Sequence, residues 1–69
     1  MNETKFHQLA LLAKMRNSKA KQAAMLYLCR GGTQADIAQQ LGITQSTVSQ
    51  AIHRIRMAQA QAIRAARPH

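Results

Sequence analysis

The chain has 69 residues, with ten lysines and arginines against two acidic residues, and a formal net charge of +8 at pH 7. A chain of this length forms one small domain, which buries only about 60% of its unfolded surface. No apolar run approaches the roughly 20 residues that span a bilayer, and the polar start is not typical of a signal peptide. We therefore expect a cytoplasmic protein with an anionic partner, nucleic acid first among the candidates.

The sequence contains no residue pattern that is typical of catalysis or metal binding. The two acids are far apart, the single Cys29 has no partner for a disulfide, and the three histidines show no ligand spacing such as i, i+4. We predict no enzyme activity, no metal site and no cofactor, and we expect Cys29 to pack as a small apolar side chain. A core built from a few short apolar faces also leaves no room for a small-molecule ligand.

The residue types predict an all-α fold of about four helices, because helix formers dominate and strand patterns are absent. The first helix is predicted from near Asn2 to around Met15. The second is expected to follow a cap at Asn17 or Ser18 and to end at Gly31-Gly32, where a left-handed residue is tolerated. Both helices are interpreted as scaffold.

Two further helices follow. Thr33 is a good N-cap for a short third helix over Gln34–Leu41, which Gly42 ends. Thr44 caps a fourth helix that begins at Gln45 and continues without a breaker to Ala66. We predict a single domain over residues 1–69, with a helix-turn-helix over residues 34–55 and a helical extension over residues 56–66.

The segment from Gln34 to Ile55 has the side chains that a helix-turn-helix requires for steric reasons. Ala38 is small where the helices cross, Gly42 takes the turn, and Ile43 fills the corner. An ordinary helical hairpin with a solvated surface is the alternative, but it does not need these residues in register. The apolar residues expected to bury the two helices are Ile37 and Leu41 on the first, and Val48, Ile52 and Ile55 on the second.

The second of these helices has a polar face. A rotation of 100° per residue places Ser46, Ser49, Gln50 and His53 opposite the apolar residues, and such side chains suit base edges in the major groove. Helix N-termini and basic residues suit phosphates. We predict base contacts from Gln45, Ser46, Thr47, Ser49 and Gln50, and DNA-backbone contacts from Lys19, Thr33, Gln34, Thr44, His53 and Arg54.

Basic residues lie on both sides of this unit, and each could hold a phosphate or be a solvated surface charge. Lys19 and Arg54 are the stronger candidates because each lies near a helix end that docking would place against the backbone. His53 could equally be a simple exposed side chain. The flanking basic residues are Lys14, Arg16, Lys19 and Lys21 before the unit, and Arg54, Arg56, Arg64 and Arg67 towards and beyond its end.

The runs Leu41-Gly42-Ile43-Thr44 and Val48 to Ile55 resemble the KorA/TrfB-type transcriptional repressors of conjugative plasmids, and the stretch around Phe6 corresponds to a Thr-x-x-x-Phe element of that family. The resemblance covers roughly residues 3 to 56. It implies a homodimeric repressor that binds a palindromic operator of plasmid transfer, maintenance or antirestriction promoters. It also makes Gln50 a base-reading residue, whereas Gln45 stands where the family commonly has arginine, which implies a different operator.

The dimer contact is open, because the larger relatives use a further carboxy-terminal segment. The tail could pair with a second copy through Ala58, Ala62, Ile63, Ala65 and Ala66, or close over the first two helices. Other functions also compete. The net charge alone would fit a non-specific architectural nucleic-acid-binding protein or an RNA-binding protein, although Phe6 and Tyr27 lie at core positions rather than on a stacking surface. A basic amphipathic module for membranes or acidic proteins has little support from an alanine-rich apolar face.

Overall fold

The computed structural model describes the backbone of residues 1–66 and the side chains of residues 1–63. Over this range the chain forms four helices and no strand: α1 Glu3–Leu12, α2 Lys19–Arg30, α3 Gln34–Leu41 and α4 Gln45–Ala66. The prediction of an all-α fold with four helices and a long last helix is confirmed. Of these four helices, none is long and apolar enough to cross a membrane.

Each helix begins at a residue whose side chain accepts a hydrogen bond from a backbone N–H of the first turn, which satisfies a donor that the helix itself leaves free. The predicted caps at Ser18, Thr33 and Thr44 are confirmed. The four side-chain acceptors and their donors are Asn2 and Lys5 at 2.7 Å, Ser18 and Lys21 at 3.4 Å, Thr33 and Asp36 at 3.2 Å, and Thr44 and Thr47 at 3.1 Å.

The end of α1 differs from the prediction. We expected the helix to continue to around Met15, but it ends at Leu12 because Lys14 adopts a left-handed conformation with φ of 57°. The N–H of Lys14 then donates to the Leu11 carbonyl at 3.0 Å, and that of Met15 to the Ala10 carbonyl at 2.9 Å. This pair of bonds is the Schellman motif, which closes a helix and turns the chain away.

The core lies between α4 and the other three helices, each of which packs against it. Phe6, Val48 and Ile55 are the largest fully buried side chains, and six of the twelve buried hydrophobic residues are alanines. Small side chains let the helix axes approach closely, but they bury little apolar surface per residue. Cys29 is half-buried against this core, as predicted.

The second half of α4 extends beyond the core. A helix of 22 residues is about 33 Å long, and the long dimension of the protein is 44 Å. Ala58 is 3% exposed and packs in the chain's own core, so at this residue the second of the two alternatives for the tail applies. Ala62 and Ile63, by contrast, are exposed. The predictions for the side chains of Ala65 and Ala66, and for Arg64 and Arg67, fall outside the described residues.

Candidate nucleic-acid interface

Helices α3 and α4 are joined by the tight turn that a helix-turn-helix needs. Gly42 takes φ of 69°, and the N–H of Ile43 donates to the Ala38 carbonyl at 3.0 Å. Ala38 and Ile37 are buried, and Ile43 packs against the core at the corner. The predicted positions of the motif are therefore occupied as expected, and α4 is held firmly across α3.

One side of α4 is core and the other is solvent. Val48, Ile52 and Ile55 are at most 3% exposed, because they share the stripe that repeats every three to four residues. The opposite side, which we call the reading face, is exposed and carries hydroxyl, amide and imidazole groups, all of which can exchange hydrogen bonds with base edges. The reading face consists of Ser46, Ser49, Gln50 and His53.

Thr47 differs from the other residues predicted to contact bases. Its side chain is half-buried, and its Oγ1 lies 2.9 Å from the Oγ1 of Thr44. The N–H of Thr47 also donates to the same Thr44 oxygen at 3.1 Å. The two threonines therefore form a hydrogen-bonded pair that fixes the first turn of α4. Gln45 and Ser46, which lie between them in the sequence, are exposed.

The starts of α3 and α4 come together. Thr33, Gln34 and Gln45 line one surface depression, together with Tyr27 and the Gly31-Gly32 turn. The first turns of two helices leave backbone N–H groups free and carry partial positive charge, which favours an anion such as a phosphate. The fold thus brings Thr33 and Gln34, which are predicted to contact the DNA backbone, next to the start of α4.

The reading face continues into a second depression, lined by Ser49, Gln50, His53 and Arg54. His53 and Arg54 also line a third depression, together with Leu12, Lys14 and Met57. The Nη2 of Arg54 donates to the Ala13 carbonyl at 3.1 Å, which ties α4 to the end of α1. Arg54 is therefore an exposed cation whose guanidinium is fixed in place, beside the residues predicted to contact bases.

Lys19 and Lys14, two of the basic residues that flank the motif, lie in different surroundings. Lys19 is exposed at the first residue of α2, but it lines none of these three depressions. Lys14 was only one of several flanking basic residues in the sequence, yet packing places it beside α4. Nothing local could have signalled this, because Arg54 and the Ala13 carbonyl that it contacts are 41 residues apart.

The acidic residues lie away from these depressions. Glu3 forms an ion pair with Arg30 at 3.5 Å, with both side chains more than half exposed, and such a pair contributes little. Asp36 lies in the first turn of α3 and is exposed. Since these are the only two acidic residues in the chain and neither lines a depression, the three depressions are lined by neutral and basic residues, which favours a polyanion as partner.

A family model for the homeodomain-like domain matches residues 15–63, which span α2, α3 and most of α4. Comparisons with curated proteins and with solved structures gave no match. The family match supports a helix-turn-helix domain that binds double-stranded DNA, but it does not extend to the narrower KorA/TrfB type. Because the match covers more than two thirds of the chain, the protein belongs to the homeodomain-like family of helix-turn-helix domains.

Proposed function

We propose that the protein is a transcriptional repressor that binds a specific, palindromic DNA operator as a homodimer. The observation that carries this proposal is the reading face, where the exposed Ser46, Ser49 and Gln50 lie directly opposite the buried side of α4. A surface that binds DNA by charge alone needs basic residues at its centre. Here short polar side chains form the centre, and Arg54 lies at the edge.

The roles of the individual residues follow from their positions. Gln50 can form two hydrogen bonds with adenine N6 and N7, while Ser46 and Ser49 offer hydroxyls to either strand. Gln45, exposed at the start of α4, is the remaining candidate for a base contact. Backbone phosphates are assigned to the depression of Thr33 and Gln34, with Thr44 and Thr47 shaping the start of the reading helix.

The homodimer is supported by the part of α4 beyond the core. Ala62 follows Ala58 by four residues and Ile63 follows Ile52 by eleven, about three turns, so both continue the apolar stripe where no other helix of the described chain covers it. Ile63 is 53% exposed. A second copy is the occupant that fits, because paired helix-turn-helix units bind two half-sites about 34–36 Å apart. The resemblance to KorA/TrfB-type repressors supports the same symmetry and a plasmid promoter as the target.

Selection of bound duplexes from a random library, near physiological salt, tests the central claim. We expect a two-fold-symmetric motif. Gln50→Ala should lower the discrimination between bases at one base pair of each half-site by about 1–3 kcal/mol. It should leave the affinity for non-specific DNA nearly unchanged. Gln8→Ala, an exposed glutamine on α1, is the matched control and should keep the motif. An equal loss of affinity for all DNA sequences with Gln50→Ala, or binding without any motif, would favour a non-specific architectural protein. The net charge of +8 alone would support such a protein.

Sedimentation equilibrium tests the homodimer separately. Ile63→Gln should shift the protein towards monomer and weaken binding to the full palindrome, with little effect on folding because the side chain is half exposed. Leu11→Gln removes a side chain that is 80% exposed on α1 and should leave the assembly unchanged. A protein that stays monomeric and binds the two half-sites independently would contradict the dimer.

A further inference from the structure

The turn after α1 retains a strained residue. Three residues in the described chain have φ between 57° and 75°, and each follows a helix: Gly31, Gly42 and Lys14. Glycine adopts this conformation without steric cost, whereas a residue with a Cβ does not. Residues with strained backbone conformations are concentrated at functional sites. Of these three residues, only Lys14 carries a side chain, which raises the question of what that side chain does.

Lys14 lies next to a second cation. Both Lys14 and Arg54 line the depression at the end of α1, and the bond from Arg54 to the Ala13 carbonyl at 3.1 Å fixes the guanidinium there. That bond uses one donor of the five that a guanidinium has. Neither Glu3 nor Asp36 lines the depression, so no acidic side chain among the described residues balances the two charges there. Two neighbouring cations repel each other, and an anion bound between them offsets that repulsion.

Part of the lining of this depression is apolar. Leu12 and Met57 line it, and they are 51% and 48% exposed, which makes them two of the few large hydrophobic side chains left in solvent. A depression lined by both cations and apolar carbons matches a nucleotide backbone unit, in which a phosphate adjoins the C–H groups of a sugar. A free inorganic anion would leave the apolar side chains without a partner.

The depression adjoins the reading face. His53 and Arg54 line both this depression and the neighbouring one with Ser49 and Gln50. A duplex whose base edges contact Gln50 therefore continues past His53 towards Lys14. The anion that reaches the depression is then a backbone phosphate of the same DNA molecule, next to the bases that α4 contacts.

We propose that Lys14 and Arg54 bind one backbone phosphate adjacent to the half-site, and that Leu12 and Met57 contact the sugar beside it. The proposal rests on the proposed DNA binding. It makes α1 part of the interface, although α1 lies outside the residues that the homeodomain-like family model matches. In this proposal the strained position carries a lysine rather than a glycine because the side chain contributes a positive charge to the phosphate contact.

The salt dependence of binding to one selected duplex tests this proposal. Lys14→Ala should reduce the slope of log K against log salt by about 0.9 per bound protomer, because one phosphate contact is lost. Affinity should fall about two- to fivefold on specific and non-specific duplexes alike. Lys14→Arg should restore both values. Lys5→Ala removes an equal charge from the first turns of the same helix and should keep the wild-type slope.

Ethylation interference locates the contact. One phosphate beside each half-site should be sensitive to ethylation with the wild-type protein and insensitive with Lys14→Ala. An unchanged slope and pattern for Lys14→Ala, or equal effects of Lys14→Ala and Lys5→Ala, would overturn the proposal while DNA binding itself stands. A wild-type protein that binds no duplex would overturn the proposed function together with this site.

Discussion

Replacing Lys14 with glycine separates backbone strain from charge at the end of α1. The left-handed conformation, with φ of 57°, costs a residue with a Cβ about 1–2 kcal/mol. Glycine avoids that cost but loses about 0.5–1 kcal/mol more in chain entropy. The difference favours Lys14→Gly by about 0.5–1 kcal/mol. In a domain of 60–100 residues this corresponds to a rise in Tm of about 2–8 °C.

Thermal unfolding followed by circular dichroism measures this change. Gly42→Ala is the matched control. A Cβ there would meet nothing within 4 Å, so the substitution changes only the free-energy cost of the left-handed conformation, and Tm should fall by a similar amount. The DNA affinity of Lys14→Gly should decrease as it does for Lys14→Ala, so one substitution stabilises the fold and weakens binding. A lower Tm for Lys14→Gly would refute the argument that the lysine is retained at the expense of stability.

Three further substitutions test the fold and the support of the interface. Phe6→Ala should cost about 3–5 kcal/mol in urea denaturation because the ring is fully buried, whereas the exposed Leu11→Ala should change little. Thr44→Val should cost about 0.5–2 kcal/mol by removing the cap of α4. Ser46→Ala, at an exposed position two residues further along the chain, serves as its control. Arg54→Lys keeps the charge but loses the guanidinium geometry at the Ala13 carbonyl, and should lower the free energy of unfolding by about 0.5–1.5 kcal/mol.

The helix-turn-helix could be predicted because its signals are local. Thr33 and Thr44 each cap the helix that follows them by bonding a backbone N–H three residues ahead, and Gly42 supplies the left-handed turn. Such contacts need only neighbouring residues, so they can be inferred from residue type and spacing. The same reasoning gave the buried side of α4, because Val48 and Ile52 lie on one helical stripe.

The rest of the interface could not be inferred in this way. Lys14 ends α1 in a conformation that the sequence normally signals with glycine, so the helix was expected to continue. Periodicity placed Thr47 near the reading face, but it could not show that the Thr47 hydroxyl bonds to Thr44. The contact of Arg54 with α1 depends on how two distant helices pack, and no local pattern encodes such a distance.

The two sides of α4 make stability and DNA specificity separable. Three other helices pack against its buried side, so the position of the reading face is fixed by Val48, Ile52 and Ile55 rather than by the residues that face DNA. Gln45 and Gln50 are exposed and take part in no hydrogen bond among the described side chains. Exchanges at these two positions should therefore change the free energy of unfolding by no more than an ordinary surface substitution, about ±0.5 kcal/mol, while they change the DNA sequence selected from a random library. The same scaffold could therefore carry a different set of reading-face residues without a loss of stability.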